Sequence, residues 1–212
     1  MTNENYYEKL KKSHPVFNDL NLDERQKESL KSLLSYSAGS LNSLRNKIAE
    51  LSQDAIHSAE YKAKKLKEAK AELQKTLDRE FSVFKTKTAL AQQSLHSATH
   101  SEPKDSVEAL LQYMQQQEIR AGLKELPSAK RIEILLDSVQ RGDSTILRAV
   151  QEQPLTSDLV PGDVLDRTST TYSKKVAPQQ LESLTTAKAD LEAAEKIKNL
   201  TEVALGFVER NL

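Results

Sequence analysis

Sixty consecutive residues, Ser40 to Thr99, contain neither proline nor glycine, and within them apolar or small side chains return every three or four positions. That spacing is the α-helical period. The stripe advances in heptads from Leu41 to Ala55, takes eleven residues to Leu66, seven to Leu73, eleven to Phe84, then returns to heptads as far as Ala98. Eleven-residue steps in a heptad pattern are stutters, which relax a left-handed supercoil toward straight. The expectation is one very long, coiled-coil-like helix over 40–100, spanning roughly 90 Å. Its seam is Leu41, Leu44, Ile48, Leu51, Leu66, Leu73, Leu77, Phe81, Phe84 and Leu95. A stripe this narrow needs another helix against it. Its alanine-rich middle, Ala55 to Ala63, is where close packing or a break is expected.

The rest of the 212 residues point the same way. Five glycines, six prolines, few aromatics and 29% charged residues argue for an all-α chain, and 37% hydrophobic content is low for one large globular core. No cysteine is present, which excludes a disulfide framework and thiolate metal or redox sites. Residues 1–20 lack an apolar run of signal-peptide length, and no apolar run approaches the roughly 20 residues that span a bilayer, so no membrane partner is expected.

Five regions follow from the punctuation. Residues 1–39 read as an N-terminal arm and a short helix. Tyr6, Tyr7 and Leu10 form an amphipathic turn, Pro15 ends it, Phe17 follows, and Asp23 caps a helix to about Tyr36. The aromatics Tyr6, Tyr7 and Phe17 are either anchors on a partner or the packing of a terminus on its own core. Gly39 marks a turn or a kink before the long helix of 40–100. Residues 104–160 read as a small bundle of short helices. In it Val107, Leu110, Leu111, Met114, Ile119 and Leu123 turn inward, followed by Ile132, Ile134, Leu135, Leu136 and Val139, then Ile146, Leu147 and Val150. Residues 161–177, rich in Ser and Thr, are a weak helix or a linker. Residues 178–212 form a C-terminal helix, the natural antiparallel partner of part of the long one, with Phe207 as a further candidate anchor.

Charge is balanced overall but unevenly placed. Residues 61–100 carry nine Lys or Arg against four Asp or Glu, and residues 101–165 carry seven against eleven. Opposed fields of this kind pair within one molecule or between copies. Lys64, Lys67, Lys75 and Arg79 are the candidate basic contact face for nucleic acid or an acidic protein. Glu68, Glu72 and Glu80 interrupt it, so a solvated helix face is favoured over a phosphate-binding one. His96 and His100, four residues apart, share a helix face as two metal ligands would, but no third ligand is specified. Arg141-Gly142-Asp143-Ser144 spells an adhesive tetrapeptide whose local meaning is a helix-ending glycine and a capping aspartate. No phosphate-binding glycine loop, nucleophile elbow or metalloprotease helix is found, so no catalytic residue, metal or cofactor is assigned.

Glu118-Ile119-Arg120, Leu123, Leu126-Pro127, Lys130-Arg131, Leu135-Leu136, Arg141-Gly142-Asp143, Leu147, Ala149-Val150, Pro154 and Pro161 form a pattern similar to that of small helical proteins encoded among tailed-bacteriophage structural genes. In those proteins too a coiled-coil-like helix follows, as from Leu181 to Leu200 here. The resemblance covers under half the chain and has no counterpart to residues 40–99. It implies a virion or assembly component, in the particle or the host cytoplasm during assembly, whose partners are other virion subunits or its own copies. The expected function is therefore non-enzymatic and structural. The alternative is a cytoplasmic coiled-coil adaptor that binds nucleic acid or an acidic partner through residues 62–87.

Overall fold

The computed structural model describes residues 6–100, 102–152 and 159–210, the last four as backbone only. The described residues are all-helical: α1 (Tyr6–Ser13), a 3-10 turn (Pro15–Phe17), α2 (Glu24–Ser29), α3 (Lys31–Gln53), α4 (Ala59–Thr99), α5 (Ser106–Lys124), α6 (Ser128–Arg141), α7 (Thr145–Gln151), α8 (Gly162–Val176) and α9 (Pro178–Arg210). They divide into two compact units, residues 1–89 with 186–212, and residues 90–185. Both α4 and α9 contribute to each.

The long helix exists but starts later than its pattern suggests. Instead of one helix over 40–100, α3 ends at Gln53 and the 41-residue α4 begins at Ala59. The cause is local hydrogen bonding that competes with the helix. One carboxylate oxygen of Asp54 accepts from the backbone N–H of Ile56 at 2.9 Å and of His57 at 3.1 Å, and the other lies 2.6 Å from His57 Nδ1. These bonds hold the Asp54 carboxyl at a pKa of about 2, the Ile56 amide contributing most, then the His57 ring. Ser58 Oγ then accepts from Tyr61 N–H to start α4. Ala55, Ala59 and Ala63 are exposed, so no burial opposes the break.

Gly39 makes no turn. It sits inside α3 with nothing within 4 Å of where a Cβ would stand, while its neighbours Ala38 and Ser40 are buried. The interruption falls at Leu30 instead, between α2 and α3. Asp23 caps α2 as expected, with reciprocal bonds to Gln26 of 2.7 and 3.2 Å.

In the first unit the seam faces this chain's own helices. Leu41, Leu44, Leu51, Leu66, Leu77, Phe81 and Phe84 are buried, with Ile48 and Leu73 packed against them, in a core that includes Ala194, Ile197 and Leu205 of α9. Leu95, which belongs to the second unit, is half-buried. Helix α9 runs antiparallel to α4, because Thr88 bonds the Ala187 carbonyl, Asp78 pairs with Lys198 at 2.6 Å, and Gln74 donates to Glu202 at 2.6 Å. The Asp78 carboxylate raises the Lys198 pKa. Helix α3 is antiparallel to α4 as well, through Tyr36 to the Leu73 carbonyl and Ser32 to Glu80. Buried Asp190 of α9 accepts from Ser29 at 2.5 Å and pairs with Arg25 at 2.9 Å, which ties α2 to the same helix.

The arm closes on this core. Tyr7 and Phe17 are buried and Tyr6 packs against the same cluster. Tyr7 OH donates to the Leu20 carbonyl at 2.5 Å. These side chains therefore do not stand free as partner anchors: the long-range fit of the arm to α3 consumes them. The Phe207 side chain lies outside the described residues.

The core of the second unit draws on α5 to α8 and the residues just before α8. Leu123, Leu135, Val139, Leu147, Val150, Leu159, Val160 and Tyr172 form its core. The stretch 161–177 is a full helix, α8, and Tyr172 brings it into that core. Its hydroxyls fold back onto the helix: Thr168 donates to the Val164 carbonyl at 2.7 Å and Ser169 to that of Leu165 at 2.8 Å. Gly142 has φ of 80° and its left-handed turn ends α6. Asp143 then accepts from Thr145 N–H at 2.8 Å, so the tetrapeptide is a helix stop.

Candidate interaction surface

Helix α5 is the element whose orientation reverses the expectation. Asp105 caps it, its carboxylate accepting from Val107 and Glu108 N–H, each at 2.9 Å, and Glu108 in turn accepts from Lys104 N–H at 2.7 Å. Helix α5 packs on α7, but with polar residues. Arg120 is buried and donates to the Ala149 carbonyl at 3.1 Å, Gln116 is buried and donates to Glu152 at 2.6 Å, and Arg148 reaches Gln112 at 3.4 Å. With the polar side held inward, the apolar side turns out. Val107 is 68% exposed, Leu110 58%, Leu111 62% and Met114 57%. The spacing places them in the core with Ile119 and Leu123, but of that set only Leu123 is buried there, with Ile119 half-buried against the same core.

The spacing 107, 110, 111, 114 lies on one face over two turns. Tyr113, also exposed, borders it and accepts from Gln117 at 2.6 Å. Carboxylates stand around the stripe. Glu118 follows Met114 by four residues and Leu111 by seven, so it continues the same line, and Glu125 lies seven further on; both are exposed. The arrangement is an amphipathic helix, fixed along its polar side, that offers an apolar, acid-bordered face.

A polar hollow of about 280 Å³ sits on the opposite side of α5, lined by His96, His100, Glu102, Gln112, Arg148 and Glu152 among others. The His96 and His100 rings stack with centroids 4.2 Å apart. No group of three His, Cys, Asp or Glu that could hold a metal occurs among the described residues. Burial is the main cause that lowers the His100 pKa, joined by His96 and Arg148 and opposed by the His96 carbonyl and Glu152. A lowered histidine is neutral in the fold while the unfolded chain protonates near 6.5, so stability falls as pH drops below about 6.5. His14 in the first unit is also lowered, by burial and then Arg45. Thermal melts between pH 7 and pH 5 are expected to show a falling midpoint, less steep in His100→Gln and least in the His14→Gln, His100→Gln double variant. Identical slopes in all three proteins would contradict this.

The candidate basic residues Lys64, Lys67, Lys75 and Arg79 are exposed on α4. Carboxylates are set among them, with Glu68 paired to Lys65 at 2.8 Å and Glu80 3.7 Å from Arg79. The seam residues from Leu41 to Phe84 come together in one core and Leu95 lies outside it, and the face on α5 was missed although a signal was present. At about 100° per residue, Ile119 and Leu123 lie roughly 150° around the helix from the Val107 to Met114 stripe, so the two sets cannot face one core. No family model, curated protein or solved structure matches this chain. No helix among the described residues is long and apolar enough to cross a membrane.

Proposed function

We propose that this chain is a non-enzymatic structural or assembly protein that works through helix-mediated protein contacts. The exposed Val107, Leu110, Leu111, Met114 face carries the reading. Burying a Leu or Met side chain is worth about 1.5–3 kcal/mol, and a contiguous apolar patch left in water marks a contact surface. The setting we propose is a tailed-bacteriophage particle, or the host cytoplasm during its assembly. What supports that setting is the residue pattern of 118–167. The nucleic-acid adaptor is disfavoured because Glu68 and Glu80 neutralise part of the basic helix.

Two measurements test the reading. The double variant Leu110→Ser, Leu111→Ser is expected to melt within a few degrees of the parent and to bind less of an apolar dye. A drop in melting temperature of core size would mean the face is covered in the folded chain. Titration of duplex DNA at moderate salt is expected to show no binding, whereas tight binding that weakens steeply with salt would favour the adaptor.

A further inference from the structure

We infer that the α5 face receives an amphipathic helix whose apolar side is flanked by Lys or Arg, supplied by a different protein. The inference rests on the proposed contact function and names the chemistry of its partner. Four apolar side chains at i, i+3, i+4 and i+7 make a straight two-turn ridge, which matches the side of another helix. The ridge is already ordered, since Asp105 caps its start and the bonds of Gln116 to Glu152 and of Arg120 to the Ala149 carbonyl fix its back. Little conformational freedom is lost when a partner docks.

Charge selects among occupants. Glu118 and Glu125 continue the line of the ridge and Glu108 borders it, while Arg120 is turned inward to the Ala149 carbonyl. Parallel pairing of two α5 helices sets Glu118 against Glu118. Antiparallel pairing centred on Met114 sets Glu118 against the apolar Leu110, and centred between Leu110 and Leu111 it sets Glu118 opposite position 103 of the other copy, where the exposed Glu102 and Asp105 outnumber Lys104. Like charges in contact, or a carboxylate pressed on leucine, oppose a second copy. An anionic lipid surface is opposed by the same carboxylates, because helices that lie on membranes carry Lys and Arg on their polar side. A basic helix satisfies Glu118 and Glu125 and covers the four apolar residues together.

The test uses the full chain and two synthetic helices of about 18 residues, long enough to form helix. Both carry Leu at the same i, i+3, i+4, i+7 positions. One is flanked by Lys and the other by Glu. The Lys-flanked peptide is expected to bind at least tenfold tighter, and more weakly as salt rises. Leu110→Asp, on the exposed face, is expected to lose binding of both while the melt is retained. The double variant Glu118→Lys, Glu125→Lys is expected to reverse the preference. Equal binding of the two peptides would overturn the basic partner and leave the contact face standing. Failure of both to bind would remove the contact face as well. A dimer of the unmodified chain that Leu110→Asp dissolves would identify a second copy as the occupant, and binding to phosphatidylserine vesicles would identify a membrane. Either result overturns the inference.

Discussion

Leu77→Asp is expected to unfold the unit formed by residues 1–89 and 186–212. Leu77 is 1% exposed and belongs to the core that joins α3, α4 and α9. Truncating a buried leucine costs about 2–5 kcal/mol through lost transfer energy and the cavity left behind. An aspartate adds a carboxylate in an apolar site, and that cost applies whether the group stays charged or takes up a proton. Against a domain stability of about 5–15 kcal/mol, the sum removes most of the margin. A thermal melt followed by helical circular dichroism reads the loss directly. The partner helices belong to the same chain, so the variant should lose helicity and melting temperature without the dissociation of an oligomer. A melt and helix content equal to the parent's would show that the seam is not buried at this position.

The seam was legible because it satisfies two demands at once. Leu41 to Leu51 and Leu66 to Phe84 keep helical spacing over several turns, and each stripe is too narrow to be buried by its own helix. The capping of Asp23 and the stop at Gly142 were legible for a different reason: one side chain or one positive φ decides them locally. Where the expectation failed, the deciding interaction was absent from the periodicity. The alanine-rich stretch from Ala55 marked where a break could fall, but what makes it is Asp54, through bonds to Ile56 and His57 that a hydrophobic pattern does not register. Gly39 stays helical because flanking Ser37, Ala38 and Ser40 are buried against the fold. The threonines of α8 look unfavourable for a helix by propensity, yet their hydroxyls bond within it and Tyr172 anchors it.

Helix α5 shows a deeper limit. Periodicity finds the apolar face of a helix and assigns it to the core by default. Here Gln116, Arg120 and Gln112 occupy the inner side through specific bonds to Glu152, Ala149 and Arg148, a long-range match that spacing cannot encode. The separation of Ile119 and Leu123 from the outer stripe was the only local sign. The candidate surface is thus readable as a composition of one face, and its outward direction is a property of the tertiary fold.

Phe17→Ala is expected to be the second costly change, and it decides what the N-terminal arm is for. Phe17 is 0% exposed, at the end of the short turn that Pro15 begins, with the His14 ring set edge-on at a centroid distance of 6.4 Å. Replacing a buried phenylalanine by alanine costs about 3–5 kcal/mol. The loss should spread through the arm, since the Tyr7 hydroxyl bond to the Leu20 carbonyl holds only while α1 and the turn lie on α3. Melting temperature should therefore drop and cleavage near residues 10–20 by a low dose of protease should speed up, with solution mass unchanged. An aromatic reserved for another protein would behave in the opposite way, leaving stability intact and weakening assembly. The burial of Tyr7 and Phe17 in a core shared with Leu41 and Leu44 argues for the first outcome. It also takes the arm's aromatics out of the free surface, which makes the arm a lid on the first unit's core, while Val107, Leu110, Leu111 and Met114 of α5 stay exposed together on one helix face.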